Sequence, residues 1–63
     1  MKLEVGQVWT PADDGRPRFI RAQKLAWIGY RFDDTGNPND LLWVRDRMFA
    51  HWITSTGAKV SRG

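Results

Sequence analysis

The sequence predicts a mainly β domain: residues 1–63 form a single small barrel of four to five short antiparallel strands with one short C-terminal helix. Three observations lead there. Segments rich in β-branched and aromatic residues alternate with clusters of Pro, Gly, Asp and Asn. A glycine, Gly29, interrupts one of those apolar segments, and glycine inside a strand marks a bulge, a bend or a close approach. After residue 46 the apolar spacing changes from the period of a strand to that of a helix.

In the first element, LEVGQVWT, side chains of a strand alternate between faces, so Leu3, Val5, Gln7 and Trp9 share one face and Val8 takes the other. Pro11 ends it, and PADDGRP has the composition of a loop. The runs RFIRAQKL and AWIGYRF are together too long for one strand, which places a turn within about residues 22–26. The segment DDTGNPND is turn-forming at nearly every position, and LLWVRD follows as a short apolar strand. In DRMFAHWITSTGA the residues Met48, Phe49, Trp52 and Ile53 fall on one arc of about 140° at helical period, with Arg47, Ala50 and Thr54 opposite. Asp46 is the expected N-cap and Gly57 the expected stop. The tail AKVSRG suffices for a closing strand or stays loose. This order of elements is the layout of SH3-like or chromo-like barrels, with the helix laid across the open end of the curled sheet.

Size restricts how such a fold is stabilised. A chain of 63 residues buries only about 60% of its unfolded surface. It has no cysteine, which rules out disulfide staples and thiolate metal sites and fits a reducing cytoplasm. Large side chains must compensate, and four tryptophans, Trp9, Trp27, Trp43 and Trp52, are the obvious core material, each able to bury roughly 150–250 Å². No apolar run approaches the ~20 residues of a membrane span, and MKLEVGQVW lacks the pattern of a signal peptide. The sequence thus reads as that of a soluble, cytoplasmic protein without a membrane partner.

Catalysis finds little support. The one histidine, His51, sits at the edge of the helical apolar arc, and Ser55 and Ser61 have no base nearby in sequence. The paired carboxylates Asp13–Asp14 and Asp33–Asp34 are chain neighbours on polar loops rather than opposed groups. No zinc-ligand spacing, EF-hand register or phosphate-cradling GxxxxGK occurs. A non-enzymatic protein without cofactor or metal is expected.

Binding remains. Ten bases, seven of them arginine, stand against seven acids, a net charge of +3. From Gly15 to Phe32 there are five bases and no acid, and the stretch PRFIRAQKLAWIGYRF within it interleaves bases with aromatics. A single-stranded nucleic acid is held by such a combination, a basic groove with rings on which bases stack; arginine serves both needs because its planar guanidinium stacks and pairs with phosphate. The candidate nucleic-acid-binding residues are Arg18, Arg21, Lys24 and Arg31 for DNA or RNA phosphates, Arg45 and Arg47 as additions, and Trp27 and Tyr30 for stacking. Most of the eight aromatics are needed for a core, which leaves one or two for a binding face.

Six short marks, GQVW (6–9), RFI (18–20), IGY (28–30), WVR (43–45), FAHWI (49–53) and TGA (56–58), together resemble short, mostly uncharacterised phage and prophage proteins with a GxxW strand and an FxxWIxxxGA helix. The resemblance implies a compact fold and, for a phage product, the bacterial host cytoplasm; it assigns no catalytic or binding residue. It also implies an alternative to nucleic acid, an accessory role in which the same arginines and a tryptophan dock on the acidic surface of a host protein of the transcription or antiviral-defence machinery. Exposed strand edges further allow a homo-oligomer.

Overall fold

In a computed structural model, residues 2–13, 15–33 and 40–61 are described. They form five strands and a helix: β1 (Val8–Thr10), β2 (Arg18–Lys24), β3 (Trp27–Arg31), β4 (Leu42–Arg45), α1 (Asp46–Thr56) and β5 (Lys59–Ser61). All ladders are antiparallel and the strand order is β4-β3-β2-β1-β5. The mainly β class, the strand number and the late helix agree with the sequence reading; closure does not. Among the described residues β4 and β5 are the two edges of an open sheet. Most of the DDTGNPND segment lies outside the described residues, as do Met1, Asp14, Arg62 and Gly63. No helix among the described residues is long and apolar enough to cross a membrane.

The first apolar run yields a shorter strand than its alternation suggests. Gly6 has φ 101° and is the third residue of a turn closed by Gln7 N–H to the Glu4 carbonyl at 3.2 Å. Gly6 donates to the Ile20 carbonyl and Ile20 donates to the Gln7 carbonyl, both at 2.9 Å. Two residues therefore oppose one, a glycine bulge that starts the pairing of β1 with β2. The Gln7 side chain fastens this corner. Its Oε1 accepts from Glu4 N–H and from Trp9 Nε1, each at 3.0 Å, and its Nε2 donates to the Lys2 carbonyl at 3.0 Å.

Strands β2 and β3 meet at the two-residue turn Leu25–Ala26, within the window that the sequence indicates, flanked by the pair Lys24↔Trp27. A second irregularity sits at Arg21, where the register shifts between Ile20↔Tyr30 and Ala22↔Gly29. The bend expected near Gly29 is thus carried by β2.

One face of the sheet is covered. Trp9, Ile20, Ile28, Phe49, Ile53 and Ala58 form the buried core, with Leu3, Tyr30, Val44 and Trp52 packed around it. The helix contributes Phe49 and Ile53 completely, and Trp52 in part. Met48, on the expected apolar arc, is 54% exposed: the arc that reaches the sheet is narrower than the sequence period allows. Asp46 is the first helical residue rather than the cap; Arg45 holds the cap position in extended conformation, with no side-chain bond. An acid in the first turn still favours the helix through its dipole. Gly57 does end the helix, at φ 67°, and the Ala58 N–H bonds back to the Ile53 carbonyl at 3.0 Å, the six-to-one bond of a Schellman stop. The carbonyl of Thr56 accepts from Ala12 N–H at 3.1 Å, which ties the helix end to the start of the β1–β2 loop.

Gln7→Ala leaves the Trp9 indole N–H buried without an acceptor and is expected to lower stability by about 1–3 kcal/mol. Gln7→Glu, which keeps the acceptor, should recover much of that loss in urea unfolding followed by tryptophan fluorescence. Leu25 has φ 55°, where an L-residue costs about 1–2 kcal/mol. Leu25→Gly is therefore expected to raise stability by about 0.5–1 kcal/mol after the extra unfolded-state entropy of glycine is counted; an unchanged or lower midpoint would show that the turn is not strained.

Candidate nucleic-acid interface

Register and pleat sort the side chains into two faces. Ile20, Ile28, Tyr30 and Val44 point toward the helix. The alternate residues point away from it, and the cross-strand pairs align them in rows. Lys24, Trp27 and Arg45 form the row nearest the β2–β3 turn. Ala22, Gly29 and Trp43 form the next, and Phe19 and Arg31 lie beyond. Among the described residues no helix covers this second face.

Trp27 and Trp43 are 43% and 48% exposed there; the sequence names Trp27 as a stacking residue, whereas it presents Trp43 only as core material. Trp9 is buried and Trp52 packs against the core from the helix, so the core uses two indoles and leaves two outside. Six aliphatic, aromatic and small residues close it without them because the helix supplies Phe49 and Ile53. Gly29 belongs to this outer face. A Cβ at residue 29 would lie 3.0 Å from Trp43 Cη2, 3.1 Å from Trp43 Cζ2 and 3.1 Å from Leu41 Cδ1. A side chain at residue 29 would crowd the Trp43 ring, which packs over the glycine. Trp27 is two residues away along β3, at a diagonal backbone separation of about 7–8 Å from Trp43. The Arg45 guanidinium lies 5.4 Å from the Trp27 ring centroid, a cation–π contact in which the arginine remains exposed.

Charge follows the same division. The five strands carry six bases (Arg18, Arg21, Lys24, Arg31, Arg45 and Lys59) and no acid. Sheet positions are thus one-signed, while the described carboxylates lie in loops and on the helix. Two of the carboxylates, Glu4 and Asp46, line a groove of about 470 Å³ on the helix side, together with Lys2, Leu3, Gln23, Arg47 and Ala50.

Of the residues nominated from the sequence, Lys24, Trp27, Arg31 and Arg45 share the open face. Arg31 is encumbered there: its Nε lies 3.6 Å from Asp33 Oδ1 and its Nη1 3.2 Å from Asp40 Oδ2, so much of its charge is already answered. Arg21 occupies the bulge, with Nη1 buried and without a hydrogen-bond partner. Arg47 lines the helix-side groove instead.

Arg18 and Tyr30 belong to the other side. The Arg18 guanidinium lies 4.1 Å from the Trp52 centroid and 4.8 Å from that of Tyr30, with Phe32 and Phe49 each at 5.9 Å. Tyr30 meets Phe32 and Phe49 edge to face at 5.7 Å. Arginine tolerates such a box because its guanidinium is weakly hydrated and stacks on rings; at this degree of burial each contact is worth about 0.5–2 kcal/mol. Arg16 adds a further stack on Phe32 at 4.2 Å. These arginines act as packing.

Trp43 is the residue that sequence reasoning left out of the site. LLWVRD reads as a buried apolar run, yet the period-two spacing of Trp43 and Arg45 already places both on one face. Among the described residues no group of three or more His, Cys, Asp or Glu side chains is arranged to hold a metal, and His51 is an exposed helix residue. Comparison with family models, with curated proteins and with solved structures gives no match for this chain.

Replacing Arg18 tests its structural placement. Arg18→Ala is expected to destabilise the fold by about 1–3 kcal/mol. Arg18→Lys should recover little, since an ammonium cannot lie flat between Trp52 and Tyr30. Denaturant midpoints for both variants decide this; a neutral Arg18→Ala would mean that the aromatic box contributes nothing.

Proposed function

We propose that this protein is a non-enzymatic binder of nucleic acid, and that the ligand lies on the helix-free face of the sheet. The observation that carries the reading is the pair Trp27 and Trp43: two half-exposed indoles on one open face, beside Lys24 and Arg45, in a sheet whose strands contain no acid. Bases stacked on the two rings account for apolar exposure that the core does not need, and Lys24 and Arg45 meet the phosphates. Arg45 already stacks on Trp27, so its guanidinium can stay on the ring while its edge turns to a phosphate oxygen.

The fold reading that goes with this is an SH3-like barrel in an open form. Its support is the strand order, in which the last strand pairs beside the first and the helix precedes it. That fold hosts nucleic-acid binders and protein binders alike, so the ligand is argued from the face and not from the topology. The motif likeness to short phage proteins names no site residue and does not enter the choice.

The test is fluorescence anisotropy of labelled single-stranded DNA, RNA and duplex DNA at about 50 and 200 mM salt. Trp27→Ala and Trp43→Ala should each weaken single-strand binding by roughly 5- to 150-fold, equivalent to about 1–3 kcal/mol per stacked base. Lys24→Ala and Arg45→Ala should each reduce the slope of log affinity against log salt by about 0.7. Absence of binding at the lower salt would overturn the reading in favour of an acidic protein partner for the same face.

A further inference from the structure

The turn at the end of the open face contains a residue that the fold does not need. A two-residue hairpin loop favours glycine, asparagine or aspartate because its backbone enters positive φ. Here the first loop residue is Leu25, at φ 55°, and it is the one non-glycine residue with positive φ among those described. Its side chain is 94% exposed, so it returns no burial for the strain. Backbone strain of this kind persists where surrounding structure enforces it, and it concentrates at working sites. The enforcement is visible. Lys24↔Trp27 closes the ladder below the turn, and the Asp46 N–H donates to the Ala26 carbonyl at 2.7 Å, which fastens the loop to the start of the helix. The leucine is held out on a rigid support.

Its surroundings indicate what it meets. Behind it on the open face stands the row Lys24, Trp27, Arg45, and behind that row lies Trp43. From the turn inward the order is an apolar tip, a row of two cations about a ring, then a second ring. The carboxylates Glu4 and Asp46 line the groove on the opposite, helix side, so the row beside the turn offers a ligand positive charge.

We propose that Leu25 is a wedge that abuts or enters the base stack where a duplex gives way to a single strand. The departing strand then lays its first unpaired bases on Trp27 and Trp43. The proposal rests on the nucleic-acid reading above and adds to it a preferred ligand, a duplex with a single-stranded tail. A small apolar side chain inserted at a base step is an established way for proteins to unstack nucleic acid. The terminal step next to a tail is where unstacking costs least. A membrane surface would also accept leucine, tryptophan and bases, but one leucine and one ring form a small apolar area for lipid insertion, and the second ring lies a row back from the tip.

The experiment compares three labelled probes, a single strand, a blunt duplex and a duplex carrying that single strand as a tail, with 2-aminopurine at the last base pair. The tailed duplex is expected to bind about tenfold tighter than the single strand, on the scale of burying one leucine, with a rise in 2-aminopurine fluorescence as the terminal step opens. Leu25→Gly and Leu25→Asn, both compatible with the turn, should abolish the preference and the fluorescence rise while single-strand affinity stays within about twofold. Equal affinity for single strand and tailed duplex, or a preference that survives both substitutions, overturns the wedge while the face remains a binding site. Loss of all oligonucleotide binding overturns the face itself. Sedimentation with phosphatidylserine vesicles that depends on Leu25, without any tailed-duplex preference, assigns the tip to lipid and overturns the proposal.

Discussion

The seating of Phe49 and Ile53 on Ile20 and Ile28 is the contact on which the molecule depends, and it can be made only once. Among the described residues there is one helix, and it covers one face of the sheet. All four of these residues are buried, and the groups around them, Trp9 and Ala58 among them, complete one core. Among the described residues, no helix covers the reverse of the sheet. That makes two half-exposed indoles there informative, because isolated exposed apolar residues are ordinary, whereas two rings on one face among cations form a surface with a chemistry.

The arginines divide between two uses set by the same geometry. Arg18 and Arg16 stack on rings and extend the apolar packing beyond the core. Their charge is kept, yet its reach is spent on aromatic faces. Arg31 is held by two carboxylates. Lys24 and Arg45 are exposed, and neither has a carboxylate among its described contacts. A count of bases along the acid-free stretch therefore overstates the positive charge available to a ligand, and the useful part of it lies in the row beside the turn.

Much of the fold was legible because its signals are local. The turn near residue 25, the helix over 46–56 and its stop at Gly57 follow from period and from glycine chemistry within a few residues. Closure and the fate of each tryptophan were not legible, since both depend on which face the helix covers. Trp27 and Trp52 are equally aromatic, and only the three-dimensional path puts one against Phe49 and the other in water. The site was half readable for the same reason. Lys24, Trp27, Arg31 and Arg45 were found by charge and ring type, whereas Arg18 and Tyr30, identical in type, face the core side. Trp43 was hidden by the apolar run around it. The bulge at Arg21 adds a residue to β2 and changes the alternation that a simple count along the strand assumes.

Two positions break local rules in opposite senses, one in β3 and one in the turn that precedes it. Gly29 stands mid-strand, where a side chain would normally strengthen the sheet. Leu25 stands in a tight turn, where glycine would normally relieve it. The glycine is explained by what packs on it, since a Cβ there would crowd the Trp43 ring at 3.0–3.1 Å. The fold gains a fixed indole, half in water, which is of no use to the core. The leucine has no such account inside the molecule. When propensity, turn chemistry and packing agree elsewhere along a chain, the residues that disobey them are where function is expected to reside. Here the two exceptions bracket one surface, with Trp27 and Arg45 between them, and each presents an apolar group outward at a cost to local structure. A face built only for solubility would have had the glycine in the turn and a polar β-branched residue in the strand.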